Sequence, residues 1–314
     1  MPLLSDSGGA LKEILFVDDG STDETSAIAA EYPLRLLKGP AGGPGAARNI
    51  GWRAARCDLV WFIDSDCAAQ PKALELLLAA MGDDQRVAGV GGSYANLVPG
   101  SWLASLIHEE IVERHSAMPR QVNFLGAFNV LYRRSVLEAV GGFDEWRFNG
   151  PNSPGAEDGE LAYRVRRAGF DLRFEARSIV GHFHPTRLMR YLRAQRHHGY
   201  WRVALYARHL GKIGGDAYSG IVDHCQPMLA MALLASAPTL WSLALQWIPA
   251  AIALLLVAAQ IPMTWRLVRR RRDARYVLFA ALGLVRSFWR GVGMIQGLVA
   301  LPLMADRSRS PRER

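Results

Sequence analysis

Cysteine is scarce in this chain: Cys57, Cys67 and Cys225 are the three among 314 residues, an odd number with no C-x-x-C pair. That argues against a disulfide framework and suits a reducing compartment. A P-loop and a G-x-G-x-x-G turn are also missing, because "GGPG" (Gly42 to Gly45) is too short for either. No zinc-finger spacing, recognition-helix pattern or aromatic RNA-binding motif accompanies the arginine clusters. Nucleic acid is therefore not expected as a partner, despite a net charge of +8. The opening "MPLLSDSGGALKEI" lacks the basic-then-apolar order of a signal peptide, so whatever precedes the apolar segments is expected to stay in the cytoplasm. Charge itself is absent from Pro227 to Trp265.

What is present is apolar material, 50% of residues, ample for one sizeable core and further architecture. Up to about residue 190, strand-like and helix-like pieces alternate. "EILFV", "LRLLKG", "DLVWFI" and "RVAGVGGSY" read as strands; "ETSAIAAEY", "GPGAARNIGWRAAR" and "PKALELLLAAM" read as helices. Such alternation predicts a mostly parallel α/β sheet flanked by helices, with ligands at the carboxyl ends of its strands. Two acidic clusters stand at such ends, "VDD" and "IDSD". In "LVWFIDSDCAAQP" (Leu59 to Pro71) a buried strand ends by presenting Asp64 and Asp66 on one side. Like charges that close repel, so something positive is expected against them.

The uncharged stretch is long enough for two crossings of a bilayer, which take ~20 apolar residues each. We read 227–265 as a tight transmembrane hairpin broken near Ile248-Pro249, and 266–275, with its run of arginines, as a basic cytoplasmic loop. A single longer, tilted helix is the alternative. Residues 276–304 carry Arg286 and Arg290 on one helix face, which suits either an interfacial helix or a third spanning one. Residues 191–226 read as a membrane-proximal linker, the basic, aromatic "RLMRYLRAQRHHGYWRVALYARH" (Arg187 to His209) as an amphipathic helix at the membrane surface, and 305–314 as a basic, disordered tail.

Three motifs remain. "VDDGSTDET" (Val17 to Thr25), "FIDSD" (Phe62 to Asp66) and "GAEDGELAYRVRRAGFDL" (Gly155 to Leu172) could each be a polar turn or a capped helix start. Together and in this order, with "GPGAARNIGWRAA" (Gly43 to Ala55), "NFLGAFNVLYRRSVLEAVGGFDE" (Asn123 to Glu145) and "VGHFHP" (Val180 to Pro185), they resemble the inverting family 2 glycosyltransferases. The resemblance covers roughly residues 13–200 and implies a Rossmann-like GT-A fold in a domain spanning 1–190. It also implies a nucleoside-diphosphate sugar as donor, UDP being the commonest, and Mg²⁺ or Mn²⁺ as cofactor. By resemblance Asp66 binds the metal, Asp64 lies near the ribose or a metal water, and His182 completes the metal shell, His184 being the poorer candidate. Asp18 and Asp19 belong to the donor site, with Asp19 pairing with the nucleotide base and Arg48 near the nucleotide or its phosphates. Asp158 is implied as the base that takes the acceptor proton, with Glu157 beside it. Gly126 and Asn129 line the donor-sugar or acceptor pocket.

Two features depart from the family. The usual first strand, with its P-x-[YF]-N-like segment, is not found ahead of Glu13, and the Q-x-x-R-W motif of processive synthases is absent, "AQRHHGYW" having the wrong spacing. The expectation is an inner-membrane enzyme, catalytic domain in the cytoplasm, that moves one sugar to a lipid-linked or cell-envelope glycan acceptor. The alternative is a truncated, non-catalytic paralogue that acts as a membrane scaffold in glycan assembly.

Overall fold

The computed structural model describes residues 12–145, 156–212 and 214–307. It divides into two compact units: one joins the chain up to Leu97 with Met118–Phe183, the other joins Val98–Ala117 with His184–Asp306.

The first unit opens with β1 (Leu15–Asp18), α1 (Thr25–Ala30) and β2 (Arg35–Lys38), the two strands pairing in parallel. Between β1 and α1 the backbone turns through Gly20 at φ +90, a left-handed conformation that favours glycine. Asp18 pins the turn by accepting from the Ser21 amide at 2.8 Å. There follow α2 (Gly43–Ala54), β3 (Leu59–Ile63), β4 (Cys67–Ala69), α3 (Ala73–Met81) and β5 (Val87–Asn96). Past a helix of the second unit come β6 (Gln121–Val122), β7 (Asn129–Arg133), α5 (Arg134–Val140), α6 (Glu157–Arg167) and β8 (Asp171–His182); that helix of the second unit is α4 (Trp102–Ala117).

The main sheet has the order β3-β7-β5-β8-β4, with β6 also on β8. It is mixed rather than mostly parallel: only β5 and β8 pair in parallel, while β7 runs antiparallel to both β3 and β5. β4 and β6 pair antiparallel with β8 as well, so the β5–β8 pair is the parallel one within this sheet. Leu74, Leu77 and Met81 of α3 pack on Val87 and Val90 of β5 and Leu131 of β7, giving this unit an apolar core.

Helix α2 is tied down by one side chain. Asn49, fully buried, accepts from the Phe143 amide at 2.9 Å and from Trp52 Nε1 at 2.8 Å, and donates to the Phe143 carbonyl at 2.8 Å and to Glu145 Oε2 at 2.7 Å. Gly142 makes this approach possible: its φ is +69, and a Cβ there would lie 2.5 Å from Asn49 Oδ1. Asn49→Ala leaves several buried polar groups without partners, each worth ~1–3 kcal/mol. We expect the substitution to destabilise this unit by about 3 kcal/mol, read as a thermal midpoint lowered by roughly 6–12 °C. An unchanged midpoint would show that the helix is held by other contacts.

The second unit gathers α4 with α7 (Leu188–Arg208), α8 (Ile221–Ala235), α9 (Trp247–Ala258), α10 (Ile261–Arg271) and α11 (Leu278–Arg307). Its core includes Leu106, Ile107, Tyr191, Leu192, Leu267, Tyr276 and Phe279. Two stretches are helices long and apolar enough to cross a membrane, Trp247–Arg271 and Ala274–Pro302. This redraws the expected hairpin. Pro249 sits in the first turn of α9, where its missing N–H costs nothing, so it breaks no helix there. The arginines expected in a loop are helical through Arg271, and a left-handed Arg272 ends that helix. Arg286 is not on an exposed face either: it is 3% exposed and ion-paired with Glu110 of α4. The last helix runs to Arg307, and the remainder of the expected basic tail lies outside the described residues.

Candidate active site

The acidic motifs converge through one arginine. From the middle of α2, Arg48 donates through Nη2 to Asp64 Oδ1 at 2.7 Å and through Nη1 to Glu157 Oε1 at 2.8 Å. The positive charge expected against the end of β3 is therefore supplied, at Asp64, by the protein itself. Burial acts to lower the Arg48 pKa, but Asp64 and Glu157 prevail and hold the guanidinium firmly charged. The ring of Phe143 lies 5.5 Å from it and limits its freedom.

Glu157 is 4% exposed, in the first turn of α6, and its second oxygen, Oε2, is buried with no hydrogen-bond partner. Next to it Asp158 is half-buried. Burial first, and then the negative charge of Glu157, push its carboxyl up to about 7. That is the range of a working general base near neutrality. Gly126 comes close on the other side: a Cβ on it would stand 3.7 Å from Asp158 Oδ2.

A second cluster lies where β4 meets the end of β8. Cys67 and His182 are paired residues of this antiparallel ladder, so their side chains share a face. Asp66 Oδ2 is 3.3 Å from His182 Nε2, and the donor atoms of Asp66, Cys67 and His182 all lie within 4.8 Å of one another. The hydrogen bond from His182 holds the Asp66 carboxyl below its ordinary range. Burial, and then the carboxylates of Asp66 and Asp64, push the Cys67 thiol up. Cys67 was not among the residues expected from sequence. Its adjacency to "DSD" was visible, but its opposition to His182, 115 positions away, depends on the strand register.

The remaining expected residues fall as follows. Asp18 is buried, and the Ser26 hydroxyl, then Ser21 and Lys38, hold its carboxyl well below the usual range, so its part is to fix the loop after β1. Asp19 accepts from the amides of Gly42 and Gly43 at 3.0 and 2.6 Å and so caps the start of α2. His184 is buried against His108, ring nitrogens 3.3 Å apart. Asn129 corrects the expectation of a pocket residue. It is fully buried, accepting from Trp61 Nε1 at 3.0 Å and donating to the Ser178 carbonyl at 3.1 Å, so the sheet itself takes up its amide. Sequence reading also missed the stack of Tyr94 on Phe128, ring centroids 3.6 Å apart, which brings Tyr94 within 4.9 Å of the His182 ring.

Residues 4–141 match Glycosyl transferase family 2. Over this stretch the chain is similar to that family. Among its relatives, the pre-mycofactocin glycosyltransferase of Mycobacterium tuberculosis is 31% identical over 218 residues, which is 66% of this chain but 45% of the relative. The O-antigen chain rhamnosyltransferase of Salmonella anatum is 27% identical over 242 residues, covering 70% of this chain and 72% of its own length. The chain thus spans about half the length of the first of these relatives. Among solved structures, a mannosyltransferase of Pyrobaculum calidifontis in complex with GDP-Man and Mn²⁺ matches over 91% of this chain and 77% of its own, with a TM-score of 0.52 and 19% identity. That likeness establishes the GT-A fold with its mixed sheet.

Proposed function

We propose that this chain is a metal-dependent inverting glycosyltransferase that moves one sugar from a nucleoside-diphosphate sugar, UDP being the first choice, to a lipid-linked or cell-envelope glycan acceptor. The observation that carries the reading is the convergence, in one unit, of a carboxylate raised into the range of a base, a paired arginine and a separate oxygen-and-nitrogen donor cluster.

The donor cluster fits a divalent cation. Asp66 and His182 offer a carboxylate oxygen and a ring nitrogen on neighbouring backbone, with Cys67 beside them, and Asp64 adds negative charge. Carboxylate oxygens suit Mn²⁺ or Mg²⁺, and the imidazole nitrogen beside them favours a transition ion such as Mn²⁺ over Mg²⁺. When bound, such an ion supplies charge neutralisation for a diphosphate leaving group. The protein's own groups do the rest. Asp158, as the carboxylate, accepts the proton of the acceptor hydroxyl as that oxygen attacks the anomeric carbon from the face opposite the leaving group. Glu157, with its unpartnered Oε2, offers a hydrogen-bond acceptor that orients that hydroxyl. Arg48 holds Glu157 and Asp64 in place.

The membrane assignment is carried by Trp247–Arg271 and Ala274–Pro302 and by the apolar side chains that stand exposed around them, among them Leu254, Ile261, Trp265 and Val299. Apolar surface of that extent calls for lipid or a partner. The arginines at the end of α10 support, by the positive-inside tendency, the reading of an inner-membrane protein with a cytoplasmic catalytic unit.

The test uses the full chain in detergent with a panel of nucleoside diphosphates and Mn²⁺. Selective binding of one nucleotide that EDTA abolishes is expected, and Asp66→Ala should weaken Mn²⁺ by about tenfold or more, on the scale of a lost ligand. Metal-independent binding, or Mn²⁺ affinity unaltered in Asp66→Ala, would reject the assignment of that site.

A further inference from the structure

The second unit contains a cavity whose charges do not balance. It lies among α7, α8 and α11, and the side chains that matter in its wall are His198, Arg202, Tyr206, Asp223, His224 and Arg290. About 20 Å³ is open to the centre of a water molecule, above the ~10–15 Å³ that one water needs. Its position is fixed by close backbone contact. A Cβ on Gly199 would lie 2.1 Å from the Arg290 carbonyl, on Gly293 1.9 Å from the Arg196 carbonyl, and on Gly297 2.5 Å from the Tyr200 carbonyl. Gly293 and Gly297 form a G-x-x-x-G pair, the spacing by which helices in lipid bring their backbones together. Helices α7 and α11 are thereby locked with Arg290 facing the His198–Arg202 turn.

The nearby carboxylates are already committed. Asp223 takes a two-pronged pair from Arg114, Nη1 to Oδ2 at 2.7 Å and Nη2 to Oδ1 at 2.6 Å. Glu110 is shared by Arg114 and Arg286. Against these two carboxylates stand four guanidiniums. Among the described residues, Arg290 donates to a neutral partner, Gln195 Oε1, at 2.8 Å, and Arg202 lies over the Tyr206 ring, neither pairing with a carboxylate. An arginine on an apolar helix without a counter-charge is costly and marks a ligand or ion site. The guanidinium fork matches phosphate oxygens in particular. Tyr206 Oη, 3.0 Å from the His224 ring, adds a neutral donor, while Pro227 and Met294 give the wall an apolar side.

We infer that this cavity binds a phosphate group, held between Arg290 and Arg202, and that the apolar wall favours a phosphate carried on a lipid chain over the free ion. The site is separate from the donor cluster and does not depend on the transfer reading.

The experiment uses the full chain in detergent and measures binding of geranylgeranyl phosphate, geranylgeraniol and inorganic phosphate. The prenyl phosphate is expected to bind, the alcohol to bind at least tenfold more weakly, and Arg290→Gln and Arg202→Gln each to weaken the phosphate ligand about tenfold. The thermal midpoint and far-UV circular dichroism, measured on the same samples, should be unchanged in both variants and report that they are folded. If Arg290→Gln loses that control, Arg202→Gln alone decides. Inorganic phosphate binding as tightly as the prenyl phosphate, with the same arginine dependence, sustains the anion site and overturns the lipid source. Prenyl phosphate affinity indifferent to both arginines, or matched by the alcohol, overturns the site.

Discussion

Asp158→Asn is expected to cut sugar transfer by roughly 10²- to 10⁴-fold, the usual contribution of a positioned base, while leaving nucleotide binding intact. The expectation rests on where the side chain sits. The carboxyl stands in the first turn of α6 beside Glu157, and burial and that neighbour push it up to about 7. Only the ionised form can take the acceptor proton, so wild-type kcat should fall on the acid side of about pH 7 and level off above it. The asparagine variant should lose that limb as well as its rate. A variant that retains the rate, or retains the limb, would show that another group is the base. Stability supplies an independent check with a definite sign. A carboxyl raised from its ordinary 3.8 to about 7 binds protons more tightly in the folded state. Its stabilisation is therefore full below about pH 4 and is lost as pH rises toward 7. Removing the charge should raise the thermal midpoint at pH 8 relative to the wild type, with little change at pH 4. Lost activity with gained stability is the mark of a group kept for chemistry.

That site was legible in sequence to the degree that its signals are local. The ends of β1 and β3 could be placed because a short apolar run stopped at a polar cluster, and α6 because its acidic first turn preceded an amphipathic pattern. The correspondence failed where long-range pairing decided the outcome. Asn129 looked like a pocket residue, but its strand is inserted antiparallel between β3 and β5, and that register turns its amide into the sheet toward Trp61 and Ser178. The same kind of pairing brought Cys67 opposite His182. In the apolar region hydropathy gave the length available for crossing, yet it could not say which proline ends a helix. Pro249 falls in a first turn and breaks nothing, whereas Pro262 stands near the start of α10 inside a continuous candidate span. Arg286 and Arg290 share a face as their spacing requires, but the face is turned inward, where Glu110 and Gln195 take them up.

The two halves of the acidic site meet at Arg48, and its removal should be felt in stability as strongly as in turnover. Arg48→Ala takes the partner from Glu157, which is 4% exposed and has one oxygen already unpaired. A buried charge left without its partner costs ~3–5 kcal/mol. Asp64 is open enough at the strand end to turn to water, so most of the loss comes from Glu157. The double variant Arg48→Met with Glu157→Gln removes both charges and should recover most of the stability, since an uncharged pair of similar volume carries no desolvation penalty of that size. It should recover none of the transfer, because Asp64 is then unpaired and Asp158 has lost the neighbour that helps raise it. Thermal midpoints of the two single variants and the double variant give the coupling directly. A single Arg48→Ala that costs under about 1 kcal/mol would mean that the ion pairs are incidental. The expected pattern is a large cost for the single change and partial rescue for the double. It would make Arg48 the residue that allows three carboxylates to occupy one site at neutral pH.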